Sequence, residues 1–178
     1  MRIRRCTVYH GHGEADVHSV ELESQDEPAP HVRTAADHVP VSSVMHDDLV
    51  CARPDLEVAS VVSLMVRNHV GCIPIVDERR HPIGVITKFD LAEQLDAFMR
   101  AASGGCSLPT DLAVRTADEL MLPLALTLGA DATVADAAAM MESEGLHHVL
   151  VVGTTGELVG VVSSKDVVDW LVATSVTA

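Results

Sequence analysis

Two short runs carry a hydroxyl and an acid three residues apart: Gly84-Val-Ile-Thr-Lys-Phe-Asp90 and, seventy-six residues later, Gly160-Val-Val-Ser-Ser-Lys-Asp166. An ionised carboxylate is an acceptor only, and can take two hydrogen bonds from adjacent hydroxyls. Thr87 and Ser163 add a hydroxyl to each site. With Asp90 and Asp166 at helix starts, free backbone N–H groups stand beside them, ready for an anion. Gly84 and Gly160 lack a Cβ and leave room for a close backbone approach. Such a cassette suits a sugar-binding site, a phosphate cradle or a catalytic loop. The plain alternative is a duplicated turn, with each Asp a helix N-cap worth about 1 kcal/mol.

The elements that must position these residues are duplicated too. Displaced by seventy-six, residues 43–95 lie over 119–171 without a gap, with Met45/Met121, Asp55/Asp131, Val58/Val134, Met65/Met141, Gly84/Gly160 and Asp90/Asp166 among the identities. Self-similarity at a fixed period marks repeated supersecondary units. Each copy reads as strand, helix, strand, strand, helix. Residues 49–52 and 126–128 are short strands. Val58, Val61, Val62, Met65 and Val66 form the stripe of a half-buried helix, and Val134, Ala137, Ala138 and Met141 repeat it. Thr133 and Asp136 have capping-box spacing. Residues 72–76 and 148–152 are buried strands, 77–82 and 153–156 are turns, and 83–86 and 158–162 complete two hairpins. Closing helices run from Asp90 to about Met99 and from Asp166 to about Val172.

A unit of about 60 residues is near the lower limit for folding alone, so the copies are expected to pack on each other about a pseudo-twofold axis. The fold class is α/β. The expected parts are an N-terminal extension (1–38), repeat one (39–100), a linker (101–114) with Gly104-Gly105 and Pro109, and repeat two (115–178).

Composition narrows the function. Hydrophobic residues make up 48% and aromatics 2%, so the core is aliphatic and base stacking has few partners. The net charge of −14 repels phosphate backbones and anionic membranes, which argues against nucleic acid and membrane as partners. No apolar run reaches the roughly 18–20 residues of a membrane span, and the basic start lacks the apolar stretch of a signal peptide. Four cysteines without a C-x-x-C pair read as thiols in a reducing compartment, the cytoplasm. In the extension, residues 17–22 alternate like a strand and 23–30 read as a flexible linker. Cys6, His10, His12 and His18 match no strong zinc spacing, so no metal is expected; the extension reads as an arm on a dimer mate.

The chain resembles the CBS domain pair, or Bateman module. The likeness rests on Val44-Met45, residues 70–77 and 84–91 in copy one, and on Leu120-Met121, residues 146–152 and 160–167 in copy two. It covers roughly residues 40–174. The resemblance implies a regulatory, non-catalytic module with no cofactor. It implies a cleft between the copies that takes AMP, ADP, ATP or an S-adenosylmethionine-like ligand. It also implies a homodimer and a separate effector protein.

On that basis Asp90 and Asp166 are expected to hold the ribose diol. Thr87, Ser163, His147, His148, Lys88 and Lys165 are expected at the phosphate, with Arg53 and Arg67 as auxiliaries. Val50, Ile73, Pro74, Leu126, Val149 and Leu150 are the candidates for an adenine slot. The copies differ where it matters: Phe89 stands where copy two has Lys165, and Gly71-Cys72 where it has His147-His148. Two unequal sites are therefore expected. Catalysis is not, because no His or Lys is placed by sequence to activate a hydroxyl and no Walker-type loop is present. The alternatives are a dimerisation or interaction module without a ligand, and a divalent-cation sensor.

Overall fold

A computed structural model of the chain describes residues 2–9, 15–22, 34–101, 114–123 and 126–175. Contacts divide the chain into two units, Met1–Arg33 and Thr34–Ala178. In the first, β1 (Arg2–Tyr9) and β2 (Ala15–Leu22) form an antiparallel hairpin in which Cys6 stands opposite His18. The alternation at 17–22 anticipates β2, whereas the arginine-rich run of β1 carries no such signal. His10, His12, residues 23–30 and residues 102–113 of the expected linker lie outside the described residues.

The second unit holds the two repeats. Repeat one contains α1 (Val58–Asn68), β3 (Cys72–Val76), β4 (Pro82–Thr87) and α2 (Lys88–Ala101). After a short helix, α3 (Ala117–Leu120), repeat two contains β5 (Thr127–Gly129), α4 (Val134–Glu144), β6 (His148–Val152), β7 (Leu158–Ser163) and α5 (Ser164–Ser175). The hairpins β3–β4 and β6–β7 are antiparallel, and each carries a register shift at the same repeat position, Ile75/Val76 and Val151/Val152. β5 runs parallel to β6. The strand expected at 49–52 is reduced to one parallel bridge, Ala52 to Ile75.

Three apolar clusters hold this unit. On α1 the buried residues are Val58, Val61 and Met65. Val62 and Val66, counted in the stripe from sequence, are instead exposed, because the hairpin covers a narrower arc of α1 than a full apolar face. In the first cluster these α1 residues meet Ile73, Ile75 and Ile86. The second joins Ala137 and Met141 to Val149, Val151 and Val162. The third lies where the hairpins meet and contains Cys72, Val76, Leu150 and Leu158. Successive side chains of a strand point to opposite faces. Ile73 and Ile75 thus face their own helix, while Cys72 and Val76 face the other repeat.

The lead-in of each repeat packs on the other repeat. Val41 is fully buried in the core of repeat two, with its N–H donating to the Ala132 carbonyl at 2.7 Å. His46 exchanges backbone hydrogen bonds with Val161 at 2.9 and 3.0 Å. Reciprocally, Ala117 and Leu120 enter the core of repeat one, and Leu122 exchanges backbone bonds with Val85 at 3.0 and 3.2 Å. This crossing puts side chains from both repeats on each cassette.

Candidate functional site

The two cassettes are capping boxes. Helix α2 begins at Lys88 and α5 at Ser164, two residues earlier than expected from sequence. Thr87 and Ser163 are therefore the N-caps, and Asp90 and Asp166 stand at N3. Asp166 Oδ2 accepts from Ser163 N at 2.7 Å and from Ser163 Oγ at 2.6 Å. Asp90 Oδ2 accepts from Thr87 N and Thr87 Oγ1, both at 2.6 Å. The capping role thus falls to a hydroxyl–carboxylate pair rather than to the acid alone. Each hydroxyl proton is given to its own carboxylate, so a phosphate would have to compete with that acid for it.

The cassettes part company at the second carboxylate oxygen. Asp166 Oδ1 lies 2.9 Å from His46 Nε2, on the crossed-over lead-in. The matching residue of the other cassette is Leu122, and among the described residues no donor reaches Asp90 Oδ1. Asp166 is 9% exposed while the His46 side chain is 73% exposed. A buried acceptor is thereby closed off by a solvent-facing donor.

Asp166 opens onto a cleft of about 630 Å³ between the repeats. Of the residues named from sequence, Val50, Pro74, His147, His148, Ser163 and Lys165 line it beside Asp166. Thr87, Lys88, Asp90 and Leu126 do not, the first three belonging to the opposite cassette. Three of the adenine-slot residues are core. Ile73 and Val149 point to their own repeat's helices with no exposed surface, and Leu150 packs in the cluster between the hairpins. Strand alternation turns Ile73 and Val149 away from the mouth, whereas Leu150 shares its face with His148 and is covered by the other hairpin. Arg53 donates to the Val76 carbonyl at 3.3 Å, beyond the cleft, and Arg67 sits exposed on α1.

The glycines have another use than ligand approach. A Cβ on Gly160 would overlap Met45 Sδ and stand 2.8 Å from its Cγ; on Gly84 it would overlap Met121 Sδ and stand 2.8 Å from the Leu122 carbonyl oxygen. The close approach is that of the other repeat's lead-in.

Sequence reasoning missed His46, His69, Asp48 and Asp169 in the cleft wall. A signal existed. At four places where the copies differ the polar member lies at this cleft: His46 against Leu122, His69 against Gly145, His147-His148 against Gly71-Cys72 (which line it too), and Lys165 against Phe89. These residues come from both repeats, yet the crossing gathers all of them on one side. His69 holds a left-handed backbone, φ 55°, at the helix end where Gly145 has φ 67°.

Burial lowers the His148 pKa below its ordinary value, helped by His147 beside it and by Lys88, against the opposing pull of Asp166. Lys165 is raised by its hydrogen bond and ion pair with Asp169. At the counterpart position to His148, the Cys72 thiol is pushed up to about 12 by burial, then by Asp90 and Cys51. The cleft thus holds the Asp166 carboxylate beside His147 and His148, whose matching residues, Gly71 and Cys72, carry no imidazole. Among the described residues no group of three or more His, Cys, Asp or Glu is placed to hold a metal ion. Among them also no helix is long and apolar enough to cross a membrane.

Known proteins are similar to this chain. An uncharacterized protein of Methanopyrus kandleri, MK0525, is 29% identical over 140 residues, 76% of this chain and 66% of its own length. The inosine-5'-monophosphate dehydrogenase of Methanocaldococcus jannaschii is 41% identical over 54 residues, 30% of this chain and 11% of its own. The chain thus spans less than two thirds of the length of these curated relatives. Among solved structures, CBSX2 in complex with AMP matches with a TM-score of 0.62 and 21% identity, over 77% of this chain and 98% of that one. The CBS domain pair of MJ0100, in complex with 5'-methylthioadenosine and S-adenosyl-L-methionine, matches with a TM-score of 0.64 and 21% identity, over 76% and 98%. The CBS domain family model matches residues 41–97 and 117–173. With both repeats accounted for over more than half of its length, the chain belongs to the CBS domain family, as a tandem pair.

Proposed function

We propose that this chain is a non-catalytic regulatory module that binds an adenosyl compound, AMP, ADP, ATP or an S-adenosylmethionine-like molecule, in the Asp166 cleft. The carrying observation is the gathering of His46, His69, His147, His148 and Lys165 in the cleft of Asp166, while the residues at the matching positions, Leu122, Gly145, Gly71-Cys72 and Phe89, are apolar or small. The ribose diol pairs with Asp166, the phosphate or other polar tail meets the imidazoles and Lys165, and Val50 and Pro74 flank the base. The volume of about 630 Å³ is in the range of small-molecule sites. The ligands named for CBSX2 and MJ0100 support the class. So does the ATP named for the CBS domain of a bacterial CNNM/CorC family Mg²⁺ transporter, whose TM-score is 0.63 at 18% identity.

The order of contacts supports the non-catalytic reading. Ser163 Oγ donates to Asp166, and His46 meets Asp166 rather than the serine. In a Ser-His-Asp triad the imidazole stands next to the serine hydroxyl instead. Signalling in this reading is a change of angle between repeats or protomers, driven by unequal affinity for two shapes. The protomers are a homodimer in the cytoplasm, acting on an effector protein. Exposed Val66, Phe89, Met99, Val168 and Val172 on the helices supply apolar surface for that dimer.

Calorimetry with AMP, ATP, adenosine and S-adenosylmethionine tests the proposal. Asp166→Asn weakens binding at least tenfold and Asp90→Asn changes it less than threefold. Equal losses in both variants sink the one-cleft reading. Silence toward every adenosyl compound, with the dimer intact, favours the second reading: an interaction module whose cleft is filled by its own side chains. That alternative has one observation behind it, the occupation of Asp166 Oδ1 by His46.

A further inference from the structure

We propose that His46 is an internal competitor for the sugar position: its imidazole holds Asp166 while the cleft is empty, and a ribose must displace it. The inference rests on the assignment of Asp166 to a ribose diol. All the donors on Asp166 are accounted for. Ser163 N and Oγ take Oδ2 at 2.7 and 2.6 Å, and His46 Nε2 takes Oδ1 at 2.9 Å. A carboxylate that receives a vicinal diol needs an oxygen facing the cleft, and the oxygen not used by the cap is the one His46 covers. The Ser163 bonds are part of the helix cap and leave only at the cost of the first turn of α5. The His46 bond is the one that can open, because its side chain is 73% exposed and has water to move into.

His46 is placed to do this by features that involve no ligand. Its backbone is pinned by two bonds to Val161 at 2.9 and 3.0 Å. Its neighbour Met45 is seated against Gly160. The imidazole therefore stays within reach of Asp166 after it lets go, and it acts at high local concentration. Leu122 at the matching position can offer no such bond to Asp90. The competitor belongs to one cleft alone.

The consequence is selectivity. A ligand with both ribose hydroxyls replaces the lost imidazole bond and gains one more; a ligand without them must either leave His46 in place or break its bond for nothing. Removing His46 therefore helps diol ligands and leaves others unchanged.

The test compares adenosine with 2',3'-dideoxyadenosine by calorimetry on the full chain, for the wild type, His46→Ala, His46→Gln, His46→Leu and Asp166→Asn. A net hydrogen bond no longer in competition corresponds to adenosine binding about three- to tenfold tighter in His46→Ala. Dideoxyadenosine stays within twofold. His46→Gln, which keeps a side-chain N–H donor at that position, returns adenosine affinity toward the wild type, whereas His46→Leu, of similar bulk and without a donor, binds adenosine as tightly as His46→Ala; a purely steric plug would be restored by both. Melting curves check that each variant folds. Adenosine affinity unchanged or weaker in His46→Ala, with Asp166→Asn impaired, overturns the competitor while the sugar site stands. Adenosine binding that Asp166→Asn leaves intact, or silence in both the wild type and His46→Ala, overturns the sugar site and the competitor with it.

Discussion

Met45, in the lead-in to repeat one, occupies the space over Gly160 of repeat two that a side chain there would need; its Cγ would stand 2.8 Å from a Cβ at that position. Met121 stands in the same relation to Gly84. The pair of glycines is therefore the seam by which the repeats hold each other, and the adjacent cassettes inherit their geometry from it.

Alanine at either glycine overpacks this seam, at a cost of about 1–3 kcal/mol. The two sites are not equal. Over Gly160 all three nearest atoms belong to the Met45 side chain, which can move, whereas over Gly84 one of them is the Leu122 backbone oxygen. Denaturant unfolding is expected to show Gly84→Ala as the costlier change. Met45→Ala is expected to couple to Gly160→Ala by about 0.5–3 kcal/mol, the double variant being more stable than the sum of its parts. Simple additivity would remove the seam.

Thr133 caps α4: its side chain accepts from Asp136 N at 3.1 Å, and Asp136 Oδ2 accepts from Thr133 N at 2.8 Å. Thr133→Ala is expected to cost about 1 kcal/mol, with the melting point lowered and ligand affinity unchanged. The same substitution at Ser163 would touch both cap and cleft, so only the pair of measurements separates the two roles.

His69 ends α1 in a left-handed conformation that glycine adopts without strain, as Gly145 does in repeat two. His69→Gly is expected to stabilise the fold by about 0.5–1 kcal/mol and to weaken binding of AMP more than of adenosine, since His69 lines the cleft. Loss of stability in His69→Gly would show that the imidazole has a packing role.

His148 has a folded pKa below its ordinary value of 6.5, chiefly through burial. Between that value and the lower folded one, the unfolded chain binds more protons than the folded chain. Stability is complete above pH about 6.5 and falls as the solution is acidified through this window. Asp77, Asp136 and Glu157, whose pKa values are lowered by hydrogen bonds to backbone and side chains, contribute stability that is lost only on acidification below their ordinary values of 3.8, 3.8 and 4.5. Melting curves from pH 8 to pH 5 are expected to show the His148 loss before that of these carboxylates, and His148→Asn to reduce it. With AMP present the sign changes for binding: a phosphate beside His148 favours its charged imidazole, so affinity rises on acidification with proton uptake. Heats independent of the buffer's ionisation enthalpy would take His148 off the phosphate.

The sequence by itself determined the duplicated α/β unit, because hydrophobic period and turn chemistry are local properties and recur at a fixed displacement of seventy-six. It also determined the cassettes, whose hydroxyl and acid are three residues apart on one helix turn, and the inequality between copies, visible where His147-His148 faces Gly71-Cys72. It misjudged Ile73, Val149 and Leu150, since both faces of a central strand are apolar and alternation alone does not say which face meets a ligand. Which residues share a cleft was decided by the tertiary structure. His46 and Asp166 are 120 residues apart in the chain, and no local period relates them. They meet because each lead-in crosses to the other repeat, where Val41 and Met45 find the apolar surface and the missing Cβ that their own repeat offers to its partner.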